Sequence, residues 1–173
     1  IKGNLSDGLL KALCTKPKTK KIIDITNAQA YEYYLRGKYK FLKREEINDI
    51  DISRILLNKA IEIDNNFLPA KISLAGTWLG LETNKKVDLD KALELYNETL
   101  IQAEKINNKQ IIAYTYHGIG GFYYYKAFYN QKNIYCDKGL KYAIRSFKIF
   151  EDLDDKDGMG RALNSIGTLY LKK

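Results

Sequence analysis

The stretch that decides the fold is Tyr114-Thr-Tyr-His-Gly-Ile-Gly-Gly-Phe-Tyr123, because its pattern recurs along the chain. Residues 31–39, 70–78 and 161–170 align with it. Each segment places a small residue three positions before an aromatic or long side chain. The small residues are Gly37, Ala75, Gly120 and Gly167. Recurrence at a fixed register is the signature of a repeat architecture, and it predicts that each small residue is buried where two helices cross.

A second pattern follows each of the first three segments. It has a small or a matching bulky side chain at positions 0, 4 and 7, counted from the first residue of the ranges 53–60, 92–99 and 139–146. These groups are Ser53, Leu57 and Ala60; Ala92, Tyr96 and Thr99; and Gly139, Ala143 and Ser146. Two antiparallel helices approach closely only where one presents a small residue and the other a matching bulge. A hairpin of this kind leaves one apolar face open and must stack on its neighbour.

These patterns predict an all-α fold of tandem antiparallel helix hairpins. Residues 26–173 form the array, with repeats at about 26–66, 67–108 and 109–155 and a truncated half repeat at 156–173. Residues 1–25 are interpreted as a leader helix and basic linker, the tail of a preceding domain. Because the chain begins with Ile1, we expect it to be a piece of a longer protein.

Successive small residues lie 38, 45 and 47 positions apart, further than the roughly 34 of a standard repeat. The extra residues are predicted to lie in loops at Arg44–Asp51, Glu82–Asp88 and Asn130–Lys138. Thr26 and Gln29 fit a capping box at the start of the first repeat. Pro69 is expected in a first helical turn, where its missing N–H costs least.

Composition argues against most chemical functions. The single histidine, His117, excludes a multi-histidine metal site. Residues 152–158 resemble a calcium loop, but Lys156 occupies a ligand position and Leu163 stands where a glutamate should close the loop. Residues 118–121 echo a phosphate-binding loop yet follow no strand. We therefore predict no enzyme activity, no catalytic residue, no metal and no cofactor.

Charge and cysteine usage set the expected partners and compartment. The net charge is +8, and half of this excess lies in residues 1–26. The remainder is diffuse, which argues against nucleic acid as the partner. Cys14 and Cys136 are far apart without metal-binding spacing, which indicates reduced thiols in a cytoplasmic protein. No apolar run reaches the roughly 20 residues of a membrane span, so no membrane insertion is expected within the chain.

The repeat resembles the tetratricopeptide family, whose first helix carries an L-G-x-x-Y core. Residues 26–81, including Ala30-Tyr-Glu-Tyr-Tyr-Leu-Arg-Gly-Lys-Tyr39, resemble bacterial tetratricopeptide modules fused to cyclase, kinase or winged-helix regulators. Residues 4–14 resemble the closing helix of a small α/β domain that precedes such repeats. Residues 92–170 are similar to the longer repeats of kinesin light chain type. The resemblance implies that the hairpins form a right-handed superhelix. It also implies a non-catalytic scaffold that binds a peptide or a partner domain in its concave groove, as the regulatory part of a larger protein.

The predicted groove surface consists of first-helix positions that avoid the packing register and are rich in tyrosine. Tyrosine and arginine commonly anchor protein interfaces. The predicted residues are Tyr31, Tyr34, Lys38, Ile72, Tyr114, His117, Tyr124, Arg161 and Asn164. Their charged members are basic, so a peptide of acidic character is expected. In repeats of kinesin light chain type, the resemblance implies that the residue at Asn164 bonds the backbone of a bound peptide.

Two alternatives stay open at this point. A nucleic-acid-associated helical repeat would show a steep salt dependence of binding. A self-assembly spacer would show a mass that rises with concentration, and a homodimer through the truncated C-terminal repeat would do the same.

Overall fold

Small residues alternate with large ones along amphipathic stretches, and these stretches form helices throughout the part of the chain that the structure describes. The computed structural model describes residues 27–46, 48–79 and 88–173. The helices are α1 (Ala28–Leu42), α2 (Asn48–Ile63), α3 (Leu68–Thr77), α4 (Leu89–Lys105), α5 (Lys109–Asn130), α6 (Asn133–Asp152) and α7 (Lys156–Lys172). The all-α prediction is confirmed for these ranges. The predicted leader at 1–25, Thr26, and residues 82–87 of the second predicted loop lie outside them.

Each helix packs against the next helix in the sequence. In addition, α1 contacts α3, α3 contacts α5, and α5 contacts α7. Within the described ranges, α2, α4 and α6 have no such contacts with one another. The odd-numbered helices therefore form a continuous layer, and an even-numbered helix packs against both members of each of the three neighbouring pairs.

The second-helix register is confirmed, because all nine residues predicted at relative positions 0, 4 and 7 are buried. Two of them also tie helices together by hydrogen bonds. The Ser53 hydroxyl donates to the Gly37 carbonyl at 2.8 Å, and the Ser146 hydroxyl donates to the Ala113 carbonyl at 2.8 Å. Small side chains thus permit a close approach, and their hydroxyls satisfy buried carbonyls across it.

The first-helix prediction holds at Gly37, Ala75 and Gly120 and is wrong at Gly167. The first three are buried, and a Cβ on Gly37 would lie 2.8 Å from Leu57 Cγ. Gly167 is exposed, and a Cβ there would meet no atom within 4 Å. The reason is that Gly167 lies on a face of α7 that no described helix covers, whereas the other three face a packed neighbour.

Helix boundaries differ from the prediction at three places. Asn27, adjacent to Thr26, is the N-cap of α1, and its Oδ1 accepts from the N–H groups of Gln29 at 2.9 Å and Ala30 at 3.2 Å. Much of two predicted loops is helical, since α2 begins at Asn48 and α6 begins at Asn133. The long repeat spacing therefore comes partly from longer helices. Pro69 does lie in the first turn of α3, as predicted.

Two helix ends share a Schellman motif followed directly by the next helix. After α4, Asn107 has a φ of 52°, and the N–H of Asn108 donates to the Ala103 carbonyl at 2.9 Å. After α6, Asp154 has a φ of 51°, and the N–H of Asp155 donates to the Phe150 carbonyl at 2.9 Å. Asn108 and Asp155 then cap α5 and α7 with their side chains. Residues 152–158 thus form a turn between two helices.

Candidate functional site

A groove of about 450 Å³ crosses all four odd-numbered helices, and we call it the central groove. Leu57 from α2 and Tyr96 from α4 reach the floor of the groove between the odd-numbered helices. Its lining consists of Tyr34, Lys38, Phe41, Leu42, Leu57, Pro69, Ile72, Ser73, Gly76, Tyr96, Gln110, Ile111, Tyr114, His117, Gly118, Asp157 and Arg161. Glycines contribute to the lining at Gly76 and Gly118, where the absence of a side chain leaves room between larger neighbours.

The central groove brings together six of the nine predicted surface residues: Tyr34, Lys38, Ile72, Tyr114, His117 and Arg161. Tyr34 corrects one premise of the prediction, because it does not avoid the packing register. Its ring is buried and lies edge-on to Phe67, with centroids 5.2 Å apart. Tyr34 thus belongs to the core and presents only part of its surface to the groove.

Three predicted residues lie outside the central groove. Tyr31 packs against Phe67 in the first core cluster and does not line the groove. Tyr124 is ten residues beyond Tyr114, or about 15 Å along α5, and packs in a different cluster. Asn164 is exposed one turn after Arg161 and does not line the groove. Sequence register places residues on a face but does not tell how far along that face a cavity extends.

The charge of the groove is more balanced than the sequence predicted. Lys38 lies on its rim, with its ammonium 3.5 Å from the Tyr34 hydroxyl. Arg161 is paired with Asp157, whose carboxylate also lines the groove, and Arg161 Nε donates to Asp157 Oδ2 at 2.9 Å. This hydrogen bond raises the pKa of Arg161. The charged members of the predicted set are basic, but the groove also contains Asp157, so one net positive charge, that of Lys38, remains.

His117 faces the groove as an uncharged group at neutral pH. Burial lowers the pKa of its imidazole, and the charge of Arg161 lowers it further. Its Nδ1 lies 3.3 Å from the Ser165 hydroxyl, within hydrogen-bond distance. His117 therefore contributes a polar but neutral surface, held against α7.

Tyr114 is fixed from two sides. Its ring lies edge-on to the buried Phe150 with centroids 4.8 Å apart, and its hydroxyl donates to Asp155 Oδ2 at 3.4 Å. The Gln110 amide donates to the same carboxylate oxygen at 3.4 Å. The α5–α7 side of the groove is thus preorganised by contacts between side chains of the two helices.

The sequence prediction missed the floor of the central groove. Tyr96 was predicted only as a core bulge, yet it lines the groove, and its ring lies against Gly118. Gly76 also lines it and leaves open space above the Tyr96 hydroxyl. The available signal was a glycine near the small residue of the motif in α3 and α5, since Gly76 follows Ala75 and Gly118 precedes Gly120 by two positions.

A second depression, of about 690 Å³, lies on the outer side of α1 and α2. It is lined by Leu35, Arg36, Lys38, Tyr39, Lys40, Leu42, Ile52 and Leu56. It is more open than the central groove and shares only Lys38 with the predicted surface. The central groove is therefore the better candidate site.

The ranges 27–46, 48–79 and 88–173 contain neither a candidate metal site nor a candidate membrane span. No group of three or more histidine, cysteine, aspartate or glutamate side chains is arranged to hold a metal ion. Among the helices in the described part of the chain, none combines the length and apolar character needed to cross a membrane.

Comparison with known proteins finds no family model, no curated protein and no solved structure that matches the chain significantly. The tetratricopeptide resemblance therefore stays an interpretation of the repeated sequence pattern.

Proposed function

We propose that the chain is a tetratricopeptide-type array, a right-handed superhelix of helix hairpins that binds a peptide segment of a protein partner in its central groove. It acts as a non-catalytic scaffold and as the regulatory part of a larger protein. The observation that supports this proposal is the central groove itself, which crosses α1, α3, α5 and α7 and contains six of the nine residues predicted independently from the sequence.

The dimensions and lining of the groove suit a short peptide. Its volume lies within the range of about 300–1,000 Å³ typical of ligand pockets. Apolar side chains such as Ile72 and Ile111 form much of its wall, and a few polar groups converge on it. This combination buries the side chains of a bound segment while fixing their orientation.

The rim charge selects the kind of peptide. Since Asp157 neutralises Arg161, Lys38 supplies the net charge of the groove. An acidic residue beside the buried side chains of the peptide would complement it. The proposed ligand is therefore an extended segment with apolar anchors and at least one carboxylate.

Selection from a displayed library of short random peptides tests the proposal on the full chain. Enriched peptides should lose about tenfold or more in affinity when Lys38→Glu and Arg161→Glu are combined, as expected for interface anchors. Lys132→Glu combined with Lys141→Glu makes the same change in net charge on exposed positions outside the groove. Equal effects of the two double variants, as measured by calorimetry, would contradict the groove assignment.

Asn164→Ala tests the role that the resemblance implies for Asn164. Because this side chain lies outside the central groove, a large loss of affinity would extend the binding surface along α7. An unchanged affinity would restrict binding to the central groove.

A further inference from the structure

The floor of the central groove contains a tyrosine hydroxyl in an unusual setting. Tyr96 is only 2% exposed, and its ring lies so close to Gly118 that a Cβ there would be 2.3 Å from Cε1. Its hydroxyl oxygen is 3.7 Å from the position that a Cβ on Gly76 would occupy. Two glycines from α3 and α5 therefore uncover the end of an otherwise buried side chain.

The Tyr96 hydroxyl makes no hydrogen bond with any residue in the described part of the chain. The oxygen is not enclosed by the surrounding protein atoms but opens on the groove, so it can hydrogen-bond to a ligand there. Ser73, on the same face of α3 as Gly76, is half-buried in the groove, and its hydroxyl also has no hydrogen bond to a described residue. Each hydroxyl is both a donor and an acceptor.

The groove next to these hydroxyls has largely apolar walls. Gly76 contributes no side chain, and the nearest atom to its Cβ position is the Tyr96 hydroxyl. Ile72 on α3 and Ile111 on α5 line the walls. This part of the groove therefore offers apolar contacts beside two groups that can each donate and accept a hydrogen bond.

We propose that this floor is a subsite for one tyrosine side chain of the bound peptide, whose phenol hydroxyl exchanges hydrogen bonds with the hydroxyls of Tyr96 and Ser73. A phenol combines an apolar ring with a group that donates and accepts, as the floor requires. The proposal rests on the proposed peptide-binding function and specifies the side chain that anchors the peptide.

Titration of the full chain with two small probes tests the subsite. The probes are N-acetyl-tyrosinamide and N-acetyl-phenylalaninamide, which differ by one hydroxyl, and the readout is the NMR shift of the Gly76 and Gly118 amides. The tyrosine probe should bind about fivefold more tightly, as one net hydrogen bond allows. Tyr96→Phe keeps the buried ring and should remove this preference.

Filling the subsite provides the steric control. Gly76→Leu should abolish binding of both probes, because the new side chain occupies the space above the Tyr96 hydroxyl. Gly160→Leu places the same side chain on α7 at a site where a Cβ meets nothing within 4 Å, and it should leave binding unchanged. Melting curves of both variants verify that they are folded. If Gly76→Leu does not fold, Tyr96→Phe still tests the subsite.

The outcomes separate the subsite from the peptide-binding function. Equal affinity for the two probes, or shifts confined to residues outside the groove, would overturn the subsite. If library peptides bind and depend on Lys38 while neither probe reaches Gly76 and Gly118, the subsite fails and the peptide groove stands. If the probes bind as expected and no peptide does, the phenol subsite stands and the peptide-binding function fails.

Discussion

Gly76 and Gly118 line the same groove but differ in what a side chain would meet. A Cβ on Gly118 would lie 2.3 Å from the Tyr96 ring, whereas a Cβ on Gly76 meets only the Tyr96 hydroxyl at 3.7 Å. We expect Gly118→Ala to lower the free energy of unfolding by about 1–3 kcal/mol through overpacking. Gly76→Ala should leave it unchanged or raise it by up to about 1 kcal/mol, because alanine favours the helix. Urea unfolding of both variants checks this, and equal changes would contradict the packing.

Asp49 makes the fold sensitive to acid. Its carboxylate accepts from Lys40 Nζ at 2.7 Å and from the N–H groups of Glu45 at 3.0 Å and Glu46 at 3.4 Å. The hydrogen bond from Lys40 is the largest cause that lowers the pKa of Asp49 to about 2. Because the folded pKa lies below the ordinary value near 4, this carboxylate stabilises the fold above pH 4. The contribution is lost as the pH falls from about 4 to 2.

The acid sensitivity is measured as the difference in melting temperature between the wild type and Asp49→Asn. We expect the wild type to be the more stable protein at pH 6 and the difference to shrink towards pH 2. Glu94→Gln, at an exposed position on α4, is the control for loss of one negative charge. A difference that stays constant from pH 6 to pH 2 would show that the Asp49 carboxylate does not act through its charge.

The sequence predicted the packing residues correctly where a small residue faces only one neighbouring helix. Ala75 and Ala92 are fully buried, as their register requires. On α5, Gly120 meets α6 through Gly139, while Gly118 meets α4 through Tyr96. A helix held between two neighbours needs a small residue on each side, and a single repeated motif indicates only one of them. The floor of the central groove was missed for this reason.

The end of a helix can be predicted where two consecutive polar residues follow it. The first adopts a positive φ, and the second is the N-cap of the next helix. Asn107 and Asp154 end α4 and α6 in this way. The polar stretch at 130–138 was misinterpreted as a loop, although α6 begins at Asn133. Its exposed residues Ile134 and Lys138 alternate with buried Cys136 and Gly139, which is the pattern of an amphipathic helix turn. Composition alone does not separate the solvent face of a helix from a loop.

Helix α7 should be less protected than α5. It packs only against α5 and α6 in the described structure, whereas α5 contacts α3, α4, α6 and α7. Leu171 is 92% exposed, and Tyr170 is also exposed, so the end of α7 adds little burial. Local opening is easiest where few apolar contacts are lost. Hydrogen exchange on a dilute sample should therefore show faster exchange in α7 than in α5, and the opposite order would contradict this prediction.

The dependence of α7 protection on protein concentration tests the self-assembly alternative. If a second copy covers its exposed face, protection of α7 should rise with protein concentration, together with the sedimenting mass. Protection of α7 that does not vary with concentration would argue against a homodimer through this helix.

In the described part of the chain, the seven helices and the order of their contacts agree with the repeated sequence pattern, but that pattern does not give the position of the central groove. It depends on how far each side chain reaches along the layer of odd-numbered helices. Tyr114 and Tyr124 have similar positions on one helix face, yet only Tyr114 lines the groove. The sequence thus predicted the correct layer, and packing decides which part of that layer is concave.

The distribution of charge over the molecule separates peptide binding from the nucleic-acid alternative. Half of the net charge of +8 lies in residues 1–26, and the central groove retains one net positive charge from Lys38. We expect any binding to a short DNA duplex to depend on the leader lysines. Replacing Lys16, Lys18, Lys20 and Lys21 by glutamine should reduce the slope of log affinity against log salt by up to about four, because each phosphate contact contributes about 0.9.

The matched comparison for this experiment is the double variant Lys38→Glu with Arg161→Glu, which reverses two charges in the groove. It should weaken peptide binding and leave the salt slope for DNA nearly unchanged, since neither side chain belongs to the leader. The leader variant should do the opposite and keep its affinity for selected peptides. If DNA binding survives in the leader variant and is lost in the groove variant, phosphates are bound by the helical array itself. The nucleic-acid alternative would then replace peptide binding as the function of the central groove.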